Sequence, residues 1–133
     1  SFGAAALTAL AVILGGCAST PGALRSDAGA TRVVVIDAGY QMVLKRLVDW
    51  SDECTPSPVL PLGQVIDQVR DYPDLRQATL VRGASGVGTQ IYLVVDLKET
   101  EPGRTEMKVY SRAAPDRQMA RHRRVANGGT GCD

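Results

Sequence analysis

The chain predicts a two-layer α+β domain, an antiparallel sheet of four to five strands with two helices on one face, in the order strand, helix, strands, helix. Three observations carry this. A β-branched run, Arg32-Val33-Val34-Val35-Ile36, is followed at once by apolar residues at helical spacing. The middle of the chain then alternates apolar and polar residues with period two, and a last helical stretch opens at Pro115. Strands followed by a terminal helix, without the regular alternation of parallel α/β folds, place both helices on one face of an antiparallel sheet.

Each element has its own warrant. The run from Arg32 to Ile36 has the length and β-branching of a buried first strand. Asp37 can cap the helix after it, where Tyr40, Val43, Leu44, Leu47, Val48 and Cys54 share a face opposite Gln41, Lys45, Arg46, Asp49 and Asp52. Three prolines between Thr55 and Pro61 make a rigid connection rather than an element. Strands are expected over Gly63–Asp71, Gln77–Arg82, Thr89–Lys98 and Thr105–Arg112. In the third of these, Ile91, Leu93, Val95 and Leu97 should share one face and Tyr92, Val94 and Asp96 the other, with Met107 and Val109 continuing the pattern. Glu101-Pro102-Gly103-Arg104 supplies a hairpin turn, and Gly83–Gly88 reads as a glycine-rich hairpin loop. In the last helix, Pro115 to Asn127, Asp116 suits the N-terminal dipole and Gly128 the C-terminal cap.

At 133 residues, 44% hydrophobic and 22% charged, the chain has the composition of one globular domain. A formal net charge of +1 gives no whole-molecule field that would favour a polyanion, and six aromatic residues cannot form a base-stacking platform.

The N-terminal region points to a membrane. Phe2 to Leu14 is apolar or small and uncharged, too short for the roughly 20 residues of a spanning helix, and has the character of a signal-peptide core. The basic residues that normally precede such a core are missing, so the chain is expected to begin inside the signal. Leu14-Gly15-Gly16-Cys17 follows, and this segment resembles the lipobox of bacterial lipoproteins. The resemblance implies cleavage before Cys17, acyl chains on Cys17 that anchor the protein in a membrane, and, with Ala18 and Ser19 next, sorting to the periplasmic face of the outer membrane. Residues 1–16 are then the signal peptide, residues 17–30 an acylated cysteine and flexible tether of up to ~45 Å, and residues 31–133 the periplasmic domain.

The element order also resembles the helix-grip domains of accessory lipoproteins of the outer-membrane β-barrel assembly machinery and of other proteobacterial lipoproteins. The matching stretches are Val35 through Leu47, the Gly103-Arg104-Thr105-Glu106-Met107-Lys108-Val109 hairpin, and the closing helix. Such folds can hold a ligand between sheet and helix, which here would make a pocket of Leu93, Val95, Met107, Val109 and Met119.

With Cys17 committed to lipid, Cys54 and Cys132 are an even pair in an oxidising compartment and should form a disulfide. Two cysteines and a distant His122 lack zinc-ligand spacing, so no metal or other cofactor is expected. The loop at Gly83–Gly88 has no lysine and opens a strand rather than a helix, unlike a phosphate-binding loop. His122 is flanked by Arg121, Arg123 and Arg124, whose charge keeps it neutral, and no acidic partner is apparent to orient it for catalysis. Asp52-Glu53 and Glu99 with Glu101 read as solvated element ends.

Arg117, Arg121 and Arg124 recur along one side of the last helix. They form either a solubilising surface or a dock for an anionic partner such as lipid headgroups or an acidic protein. The reading is a non-enzymatic interaction module of the cell envelope, with envelope proteins or anionic lipid as partners and no nucleic acid. The alternative is a lipid or small-ligand binding domain. The first predicts the pocket residues packed shut and an exposed apolar or arginine-rich patch elsewhere; the second predicts an open cavity.

Overall fold

A computed structural model describes residues 18–54, 59–60, 63–86 and 88–133. Cys17 and the apolar run before it lie outside the described residues. Among the described residues three α-helices, α1 (Pro21–Arg25), α2 (Tyr40–Cys54) and α3 (Pro115–Ala126), accompany six strands: β1 (Thr31–Ile36), β2 (Val59–Leu60), β3 (Gly63–Tyr72), β4 (Gln77–Gly86), β5 (Gly88–Glu101) and β6 (Arg104–Tyr110). All strands join one antiparallel sheet in the order β1-β6-β5-β4-β3-β2, five of them long and β2 only two residues. The two-layer α+β fold is therefore present, with α2 and α3 on one sheet face. The core lies between them, where Tyr40, Val43, Leu44, Leu47, Met119 and Val125 pack on Ile36, Leu93, Val95, Leu97, Met107 and Val109.

Hydrogen bonding fixes how α2 leaves β1. The carboxylate of Glu99 on β5 accepts from the Tyr40 backbone N–H at 3.0 Å, so the N-terminal cap comes from across the sheet and not from Asp37. Asp37 is exposed and faces Arg104 at 3.5 Å. At the other end of the chain, Asn127 takes the C-cap of α3 and Gly128 follows it with φ +94°, the position where glycine escapes the Cβ clash. Arg46 of α2 donates to the Ala126 carbonyl at 2.8 Å, satisfying an orphan acceptor of the last turn of α3.

Four further sequence expectations need correction. First, β1 is an edge strand, not a buried one: among the described residues it pairs with β6 alone, and Val33 and Val35 are about half exposed, on the face away from α2 and α3. Second, the strands around the glycine-rich segment run on to Gly86 and from Gly88, so Gly83–Gly86 belongs to β4 rather than to a loop. Third, β5 does not alternate throughout. Arg82 pairs with Leu93 but Gly83 pairs with Ile91, which leaves Tyr92 as the extra residue of a β-bulge. Ile91 thus joins Val94 on the face away from α2 and α3, in a second cluster with Ala18, Leu24, Ala30, Val81 and Tyr110.

That second cluster is the fourth correction. The segment read as a flexible tether packs on the sheet from Ala18 onward. Thr20 caps α1 through its side chain, Leu24 is fully buried, and Arg25 makes two 2.8 Å bonds to Asp96. Asp27 caps a short 3-10 turn at Ala28–Ala30 and accepts from Arg112 at 2.9 Å. Ala18 exchanges backbone hydrogen bonds with Ile91. Serine, threonine, glycine and proline in this stretch act as caps and turns, which composition alone does not distinguish from a linker.

Candidate functional site

The side chains with unspent chemistry meet where the C-terminal end of α2, the first and middle turns of α3 and the tail after α3 come together beside β4 and β5. The Cys54–Cys132 disulfide closes this corner, with Cα atoms 5.3 Å apart. The tail after α3 is bound down around it: Trp50 Nε1 donates to the Gly131 carbonyl at 3.0 Å, and Arg124 donates to the carbonyls of Thr130, Gly131 and Asp133. Beside the disulfide opens a cleft of about 180 Å³, lined by Trp50, Arg82, Tyr92, Leu93, Gln118, Arg121 and His122 among others. Its inner end narrows to a slot of about 20 Å³ between Leu47, Leu80 and Val95.

Each lining group is positioned by the fold. Arg82 shares its face of β4 with Ala78 and Leu80, so strand alternation drives a guanidinium toward the helices. Its Nη2 donates to Ser51 and lies 3.3 Å from Asp67, the residue directly opposite on β3. Its Nε is buried and has no hydrogen-bond partner among the described residues. The bulge brings Tyr92 onto the cleft wall beside Leu93. His122 is buried, its ring edge-on to Trp50 with centroids 5.4 Å apart. Nδ1 of His122 lies 2.6 Å from the Gln118 carbonyl, one turn earlier, and therefore carries the proton that carbonyl accepts, which leaves Nε2 as an acceptor. Burial pushes the imidazole pKa below its ordinary value against an upward pull from the Gln118 carbonyl, and the charges of Arg82 and then Arg121 each lower it by less. The sequence expectation of a neutral histidine agrees in direction, but burial outweighs the neighbouring charge.

The predicted arginine row does not act as a unit. Arg117 is exposed, Arg121 lines the cleft while donating to the Cys132 carbonyl at 3.2 Å, and Arg124 is taken up by the tail. Arg82, which sequence reasoning passed over, has a visible signal: a lone cation on the inward face of a strand otherwise apolar or small at that parity. The residues expected to line a helix-grip cavity are in the core. Met107, Val109 and Met119 are buried in the main cluster, and only Leu93 and Val95 reach the cleft's inner end. Asp52 and Glu53 are exposed as expected, whereas Glu99 is the cap of α2. Among the described residues no group of acidic, histidine or cysteine side chains could hold a metal ion, and no helix is long and apolar enough to cross a membrane.

No family model matches this chain, and no curated protein is significantly similar to it in sequence.

Proposed function

We propose that this chain is a lipid-anchored protein of the bacterial outer membrane, acylated at Cys17, whose folded part is a non-enzymatic interaction module on the periplasmic face. The Leu14-Gly15-Gly16-Cys17 segment supports the anchor, and a disulfide between Cys54 and Cys132 fits an oxidising compartment. The observation that carries the interaction reading is the contrast between a closed core and an open edge. Met107 and Val109 are packed shut, while β1 offers a backbone edge that no described residue pairs with, flanked by the exposed Val33 and Val35. An extended segment of an envelope protein can add to such an edge, drawing affinity from main-chain hydrogen bonds and specificity from contacts with the two valines.

The N-terminal packing changes what an anchor would do. Ala18, the residue after the acylated cysteine, is fastened to Ile91 of β5, so the acyl chains emerge within one residue of the sheet. The domain then rides on the bilayer surface in a fixed orientation instead of ranging ~45 Å from it.

Envelope fractionation together with photo-crosslinking tests both halves. Wild type should sediment with outer membrane and Cys17→Ser should be released. A crosslinker at Val33 or Val35 should trap one defined envelope protein that a crosslinker at the exposed Leu75 does not. Membrane association that survives Cys17→Ser refutes the anchor, and equal trapping from Leu75 refutes the edge.

A further inference from the structure

The cleft beside the disulfide contains donors that the fold itself leaves unused. Arg82 is four-fifths buried, and although Nη2 meets Ser51 and Asp67, Nε has no partner among the described residues. A buried donor in that condition costs about 1–3 kcal/mol unless an acceptor reaches it. Asp67, paired with Arg82, lines only the inner slot, and no acidic side chain among the described residues lines the outer cleft, where Arg121 adds positive charge. Trp50, Leu93 and Tyr92 supply apolar and aromatic wall, and His122 contributes Nε2 as a hydrogen-bond acceptor because Nδ1–H is held by its own helix.

We propose that this cleft binds a small organic oxyanion, a carboxylate or phosphate monoester, whose anionic head is held by Arg82 and Arg121 and whose carbon body lies against Trp50 and Leu93. Guanidinium groups suit such a head because their N–H groups form charge-assisted, often paired bonds to its oxygens. A hydroxyl next to the head completes the match by donating to His122 Nε2. The cleft, at about 180 Å³, has room for a small molecule or one lipid headgroup and not for a folded partner. The proposal is independent of the anchor at Cys17 and of the β1 edge.

The chain has one tryptophan and one histidine, and both line this cleft, so each reports on it without interference. The purified full chain, disulfide intact, is titrated at constant ionic strength with lactate, benzoate, glycerol 3-phosphate and chloride, and separately with phosphatidic acid vesicles, whose headgroup is a phosphate monoester. Trp50 fluorescence and the His122 ring resonances are followed. A saturable response with one midpoint in both signals is expected for at least one organic oxyanion or for the vesicles, and not for chloride. Response to soluble anions assigns a small-molecule ligand, and response to vesicles alone assigns a lipid headgroup of the same chemistry. Arg121→Gln should weaken binding about tenfold or more, as loss of a charge-assisted bond implies, while Arg117→Gln on the exposed part of α3 should leave it unchanged. The proposal is overturned by the absence of any saturable response, by chloride matching the organic anions, or by an Arg121→Gln variant that binds as wild type does.

Discussion

Histidine 122 shows how one side chain can carry both a packing role and a pH dependence. Its ring closes the gap between α2 and α3 against Trp50, and its pKa is depressed chiefly because the charged form would be buried. The unfolded chain takes up a proton near the ordinary histidine value of ~6.5, whereas the folded chain takes it up only at lower pH. Stability contributed by the neutral, buried ring is therefore complete above about pH 6.5 and falls as pH drops toward the folded pKa. Urea unfolding at several values between about pH 7.5 and pH 5 should show this slope, and His122→Gln should flatten it. Equal slopes in the two proteins would assign the effect to other groups. An oxyanion in the cleft would oppose the two arginine charges and move the His122 pKa upward.

At the scale of elements, the β4–β5 hairpin is organised by a single glycine and a single bulge. A Cβ on Gly83 would stand 2.4 Å from the Gln90 carbonyl oxygen and 2.9 Å from the Ile91 side chain, and a backbone oxygen cannot rotate away as a side chain can. Gly83→Ala should therefore cost about 1–3 kcal/mol by overpacking, read as a lower denaturant midpoint with an unchanged slope. It should also disturb Tyr92 and the cleft wall, because the bulge starts at the same register step. A neutral Gly83→Ala would mean that the two strands can separate at this point without loss. The element sequence was readable because each helix and strand writes its period locally, and α2 begins at Tyr40 and ends at Cys54 as the apolar spacing implies. The bulge was not, since one inserted residue reverses the facing of Ile91 while leaving an unbroken apolar alternation in the sequence. The Glu99 cap was missed for a related reason: its donor lies 59 positions earlier in the chain.

Across the whole molecule, the disulfide joins residues 78 positions apart, with most of the sheet between them. In the chain-entropy model a loop of this length stabilises by up to about 4.5 kcal/mol, a figure reduced by any residual order in the unfolded chain. A Cys54→Ser, Cys132→Ser double variant should lose several kcal/mol, on the order of 2–4, in reversible unfolding. The tail, although still bonded to Trp50 and Arg124, should become sensitive to protease before the sheet does. Loss of less than about 1 kcal/mol, with a tail that stays protected, would show that the hydrogen bonds alone hold it.

The sequence by itself determined the α+β class, the two helices on one face, the hairpin at Pro102-Gly103 and the pairing of Cys54 with Cys132. Period, turn chemistry and parity of cysteines act over short spans or by simple count, so they need no knowledge of neighbours distant in the chain. Only the tertiary structure decided that Ala18–Ala30 packs on part of the second sheet face, that β1 is an exposed edge, and that the cleft exists at all. Trp50 comes from α2, Arg82 from β4 and Arg121 and His122 from α3, and no local period links them. They meet because α2 and α3 run antiparallel, with Arg46 of α2 bonded to the last turn of α3, which sets the end of α2 beside the middle of α3 next to the bulged part of β5.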